Sequence, residues 1–149
     1  MAKVFFGCAM RAGYANASRQ TLLGVRNAIE ELGHELASKH QLEQGIVERE
    51  HLKSPKFVHD RDYKWLEEAD LGIFEISNPS TGAGAEISDM AHLGKPILCL
   101  FSKEVEEMAS YYIRGKKGSE FVKTAFECQG YSTKEEAKQL IREFAEKHP

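Results

Sequence analysis

Cysteine is scarce in this chain. Cys8, Cys99 and Cys128 are an odd number of thiols with no CxxC pair, which excludes a disulfide framework and a redox dithiol. Two of them sit inside apolar, strand-like runs, as reduced intracellular thiols do. Long apolar stretches are also missing, and no run approaches the roughly 20 residues that a membrane span needs. The start, Met-Ala-Lys running into Val4-Phe5-Phe6, continues into neither a longer apolar stretch nor a cleavage site. No signal peptide and no membrane partner are therefore expected, and the cytoplasm is the expected compartment. The six histidines are scattered without the spacing of a zinc site, so neither a metal nor another cofactor is expected. There is no excess of basic residues. A formal net charge of -3 argues against a nucleic-acid polymer as partner, while leaving small anions open. Neither GxGxxG nor GxxxxGK[ST] occurs, which removes the usual dinucleotide and P-loop readings.

What is present is an ordinary globular composition, 42% hydrophobic and 29% charged over 149 residues, enough for one domain spanning the whole chain. Short apolar runs alternate with helical patterns. Strands are expected at Val4 to Ala9, Glu35 to Ser38, Leu71 to Ile76, Ile97 to Phe101 and Phe121 to Cys128. Helices are expected at Ala17 to Leu32, Val58 to Ala69, Ala85 to Leu93, Val105 to Ile113 and Lys134 to Lys147, the last capped by Ser132 in a capping box with Glu135. Lys39 to Lys56 is polar and without periodicity, and reads as a long mobile loop of the kind that often carries function. The alternation implies a single-domain, doubly wound α/β fold of the Rossmann or flavodoxin-like type. Its mostly parallel sheet would carry helices on both faces, with the ligand beyond the carboxyl ends of the strands.

Three segments carry candidate chemistry. Ser80-Thr-Gly82-Ala-Gly84-Ala-Glu86 lies between a strand and a helix, where glycines admit a ligand to the backbone and a helix N-terminus attracts an anion. Glu86 then falls in the first helical turn, where the dipole favours the ionised form a nucleophile needs, although a glutamate there is also common for the dipole alone. On the helix from Val58, the residues Val58, Trp65, Leu66 and Ala69 form one stripe at roughly 100° per residue, and Asp62 sits in its middle. A carboxyl on an inward face must be paired, hydrogen-bonded or protonated, so Asp62 is either a proton carrier or a structural acceptor. Two carboxyls with opposite demands form the pattern of an acid–base pair. Finally, Gly7-Cys-Ala-Met10-Arg11 follows the first strand, and a guanidinium there suits a phosphate.

These segments resemble the nucleoside 2-deoxyribosyltransferase family, and within it the branch of 2'-deoxynucleoside 5'-phosphate N-hydrolases. The resemblance rests on Phe5-Phe6-Gly7, on His59 through Asp70, and on Pro79 through Ile87. Lys95 to Phe101 and the stretch from Ser110 ending Ile-Arg-Gly115 extend it. It implies cleavage of the N-glycosidic bond of a nucleoside 5'-monophosphate through a covalent glycosyl-enzyme, in a homodimer whose partner subunit completes the site. Glu86 matches the family nucleophile and Asp62 the aspartate that supports proton transfer. Arg11, Ser80 and Gly82 match phosphate-holding positions, and Gly7 and Gly84 belong to the same matched loops. Met10 and His40 fall at the base-side wall, and Ser110 matches the serine contributed across the dimer.

Two departures stand out. Phe5 occupies the position where the family usually has tyrosine, which removes a hydroxyl near sugar and nucleophile and suggests tolerance of, or preference for, ribonucleotides. Ala9 replaces a small hydroxyl residue, which removes one phosphate contact. Exchange of bases between free nucleosides remains an alternative, against which Arg11, Ser80 and Ser110 speak. A nucleotide sensor without turnover remains another. A receiver-like signalling domain fits poorly, because Gly7, Cys8 and Ala9 stand where its acidic residues would be.

Overall fold

The computed structural model of the chain describes residues 1–10, 13–38 and 42–149. Val4, Phe5 and Phe6 are all sealed from solvent because their strand, β1 (Lys3–Gly7), lies inside a sheet covered on both faces. β1 pairs in parallel with β2 (Glu35–Leu36) on one side and β3 (Leu71–Glu75) on the other; β4 (Ile97–Ser102) and β5 (Phe126–Tyr131) follow, also parallel. The order β2-β1-β3-β4-β5 reverses between β1 and β3. At such a switch point the loops leaving the two strands part and open a crevice. The doubly wound parallel fold expected from the sequence is the one observed.

Alternation along the strands sends side chains to two cores. Val4, Phe6, Ile73, Leu98 and Leu100 pack under α1 (Arg19–Glu31) and α6 (Lys134–Lys147). Phe5, Phe74, Cys99 and Phe101 pack with Leu66 of α3 (Pro55–Glu68) and with Ile87 and Met90 of α4 (Thr81–His92). Helix α1 starts at a Ser18 cap and stops at Gly33, whose φ of 87° few other residues adopt readily.

Several expected boundaries move. The β2 ladder stops at Leu36 because the Ser38 hydroxyl takes over, accepting from Phe6 N–H at 2.9 Å and donating to Phe6 C=O at 2.7 Å. The polar stretch is not one loop. It holds α2 (Ile46–Glu50), and the Ser54 hydroxyl with Pro55 at the first helical position starts α3 before Val58. A long helix over Val105 to Ile113 does not form. A 3₁₀ segment (Lys103–Met108) breaks helical geometry at Val105, and Ser110 then caps a short α5 (Tyr111–Arg114). Phe121 is 84% exposed, and β5 begins only at Phe126, opposite Ile97. The α6 cap is Thr133, which accepts from Glu136 N–H, while the Glu136 carboxylate accepts from Ser132 N–H; the reciprocal pattern sits one residue later than Ser132 and Glu135. Among the described residues, no helix is long and apolar enough to cross a membrane.

Candidate active site

The largest change from the sequence reading concerns α4. Its helix begins at Thr81, because the Ser80 hydroxyl accepts from Ala83 N–H at 3.1 Å and caps it. Gly82 and Gly84 are thus helical, at terminal positions where glycine costs little. Glu86 becomes the sixth residue, in the second turn rather than the first. The dipole fades beyond the first turn, so it does not hold Glu86 ionised. Burial instead pushes the Glu86 carboxyl up to about 8, and the charges of Asp62 and Asp89 add to the effect.

Glu86 opens onto a cavity of about 460 Å³ at the switch point, a volume suited to a small ligand. Cys8 and Met10 after β1, and Ser80 through Ala83 of the α4 start, form one end. Ile46, Val47 and Glu50 of α2 and Val58, Arg61, Asp62 and Trp65 of α3 form the other. The first amides of a helix lack acceptors within it, so the Ser80–Ala83 end offers donors to an anion. Nothing stands within 4 Å of where a Gly82 side chain would begin, which leaves that backbone open. The Cys8 thiol is held protonated by burial and by the nearby Glu75 and Glu86, so it is no nucleophile. No group of three or more His, Cys, Asp or Glu suited to a metal occurs among the described residues.

Asp62 faces this cavity, but not as a solitary buried carboxyl. Arg61 donates to its Oδ1 through Nε at 3.0 Å and Nη2 at 2.8 Å, and stacks its guanidinium on Trp65 at 4.7 Å. The same Nη2 lies 2.8 Å from Glu50 Oε1. The stripe of α3 read as a core face is therefore partly a cavity wall. Burial governs Glu86 and ion pairing holds Asp62, the reverse of the assignment made from helix position.

The loops that carry the site are anchored at strand ends. Asn78, 3% exposed, accepts from Asn16 and Ala17 N–H at 2.9 and 3.0 Å and donates to Ala17 C=O at 2.9 Å. That ties the β1–α1 loop to the β3–α4 loop. Glu75 accepts from Ser77 N–H at 2.6 Å, from the Ser77 hydroxyl at 2.9 Å and from the Tyr131 hydroxyl, joining the ends of β3 and β5.

Other sequence candidates are placed differently. Phe5 is fully buried against Phe74, with ring centroids 5.7 Å apart, and is not a cavity-lining residue. Gly7 serves packing, since a Cβ there would lie 2.6 Å from the Phe74 ring. Gly84 faces Ile113 and lines, with Ser110, a neighbouring cavity of about 350 Å³ that shares Ser80, Thr81 and Ala83 with the first. Ser110 itself accepts from Ile113 N–H as the α5 cap. Arg11 and His40 lie outside the described residues. Sequence reasoning missed Glu50 and Arg61. The Arg61–Trp65 spacing of one helical turn was the available signal for Arg61, whereas α2, at 5 residues, is too short to show a period.

No protein-family model matches the chain. The mouse (Mus musculus) 5-hydroxymethyl-dUMP N-hydrolase is 45% identical over 67 residues, which are 44% of this chain. That match spans 39% of the mouse protein's length. A Thermofilum pendens protein, provisionally named 2'-deoxynucleoside 5'-phosphate N-hydrolase 1, is 35% identical over 116 residues, 76% of this chain and 77% of that one. Among solved structures, the Clostridium botulinum CMP N-glycosidase BcmB superposes with a TM-score of 0.63 at 25% identity, covering 95% of this chain and 99% of that one. With a relative this similar over most of both chains, the chain belongs to the 2'-deoxynucleoside 5'-phosphate N-hydrolase family.

Proposed function

We propose that this protein hydrolyses the N-glycosidic bond of nucleoside 5'-monophosphates, releasing free base and sugar 5-phosphate. The observation that carries this reading is the convergence of Glu86 and Asp62 on one cavity whose other edge is the capped N-terminus of α4. The phosphate belongs at Ser80–Gly82, and Arg11, matched in sequence to a phosphate-holding position, is a candidate for its charge partner. This places C1' of the sugar near Glu86 and the base toward α2 and α3. Membership of the family, and the activities for which BcmB and the mouse relative are named, support the same reaction.

The chemistry follows from the carboxyl pair. In the free enzyme near pH 7, Glu86 holds a proton most of the time, because its midpoint lies at about 8. Interacting carboxyls titrate as a pair, and positive charge developing on the sugar favours the Glu86 carboxylate. The proton passes to Asp62. Glu86 then attacks C1' as the C1'–N bond breaks, and Asp62 delivers the proton to the departing base. In the second half, water loses a proton to Asp62 and attacks C1', which frees the Glu86 carboxylate and the sugar 5-phosphate.

A second copy of this chain is the proposed partner. The Ser110 segment exposes Met108, Tyr111 and Tyr112, apolar area that a homodimer contact would cover. Three unpaired cysteines suit a reducing, cytoplasmic compartment.

Incubation with a panel of ribo- and deoxyribonucleoside 5'-monophosphates, followed by chromatography for free base, tests the function. Base release by the wild type and at least a thousandfold less by Glu86→Ala is the expected result. No release from any monophosphate overturns it.

A further inference from the structure

Glu50 ends α2 and is only 8% exposed, yet it belongs to the cavity wall. Its Oε1 is paired with Arg61 at 2.8 Å, while Oε2 is sealed from solvent without any hydrogen-bond partner. A buried carboxylate oxygen left without a donor is costly, and native proteins rarely keep one unless something else supplies the donor. Its surroundings identify that donor. One guanidinium nitrogen of Arg61 bridges Glu50 and Asp62, and Asp62 in turn acts electrostatically on Glu86, so the polar groups link Glu50 to the proposed nucleophile. The remaining walls there, Ile46, Val47, Val58 and Trp65, are apolar and suit the faces of a flat ring.

Resting on the nucleotide reading above, we infer that Glu50 selects the base by accepting an N–H from the edge opposite the glycosidic bond. On a pyrimidine this edge carries the C4 substituent, and on a purine the C6 substituent. With a turn of the Glu50 side chain that brings Oε2 out to the cavity, an exocyclic amino group donates to it and completes it. A keto oxygen at the same place meets a second acceptor, leaving both unpaired and mutually repelled. The site therefore takes 4-aminopyrimidine and 6-aminopurine nucleotides in preference to their keto counterparts.

The test compares kcat/KM within the pairs CMP/UMP and AMP/IMP, the sugar being the same in each pair, for wild type and Glu50→Gln. Loss of a hydrogen bond to a charged group predicts a wild-type preference for the amino member of about tenfold or more. Glutamine keeps the shape and offers both donor and acceptor, so the preference should fall to about threefold or less, mainly through the amino substrate. Because each ratio is taken within one protein sample, partial unfolding cancels. A wild-type ratio near one, or equal losses on both members in Glu50→Gln, overturns the assignment and leaves Glu50 structural. If no nucleotide is turned over, the hydrolase reading fails, and calorimetric affinities for CMP and UMP decide the Glu50 assignment. A tenfold preference abolished by Glu50→Gln supports it, whereas equal affinities or no binding sink it.

Discussion

The charge on Asp62, carried by α3, reaches Glu86 on α4 and raises its proton affinity, second only to burial in the effect. Two helices that meet only through the tertiary fold thus set the protonation of the proposed nucleophile.

This coupling has a pH signature. The kcat/KM of the free enzyme should stay level below about pH 8 and fall about tenfold per unit above it, because the proton that Asp62 hands to the departing base is the one Glu86 holds before substrate binds. Asp62→Asn removes a charge that raises Glu86, so the midpoint of Glu86, followed by carbon NMR of labelled carboxyls, should move down. Stability runs the same way. Glu86 binds its proton more tightly in the fold (about 8) than in the unfolded chain (4.5). Its contribution is therefore fully present below pH 4.5 and lost as pH rises through 8. Glu86→Gln should then stabilise the protein at pH 9, by about 2 kcal/mol or more, and change it little near pH 4.5. Urea denaturation at the two pH values checks this.

Asn78→Ala removes three hydrogen bonds between the β1–α1 and β3–α4 loops in a buried position. A loss of about 2–4 kcal/mol in unfolding free energy is expected. KM should also rise more than kcat falls, because the proposed phosphate end of the cavity is built from those two loops. Wild-type KM with reduced stability would assign Asn78 to the fold alone.

Phe5→Tyr tests the sugar preference. Phe5 leaves no hydroxyl beneath the site, a condition compatible with a ribose 2'-OH. The variant should shift the CMP-to-dCMP ratio of kcat/KM toward the deoxynucleotide by about tenfold, the scale of one hydrogen bond or clash. Competition between the two substrates in one reaction measures that ratio. An unchanged ratio would remove Phe5 from the specificity determinants, in keeping with its complete burial against Phe74.

The strands and the long helices were legible because burial imposes period and length on the chain. Val4 to Phe6 reads as a buried strand, and Leu22, Val25 and Ile29 read as one helical stripe that does face the core. Short elements were not legible. α2 spans too few residues to repeat, and the glycines at 82 and 84 looked like a loop because the Ser80 cap outweighs their low helix propensity.

Local order of residues thus determined the architecture and the family, and singled out Glu86 and Asp62 as the two candidate carboxyls. The chemistry of that pair was decided only by the tertiary structure. Helix position argues for an ionised Glu86, but desolvation by the packed cavity and the field of a carboxylate on another helix act through space and outweigh it. Likewise, nothing in the sequence brings Glu50 to Arg61 across the chain between α2 and α3. Proximity in the fold, not spacing in the chain, gives a buried charge its partner and leaves one carboxylate oxygen without one.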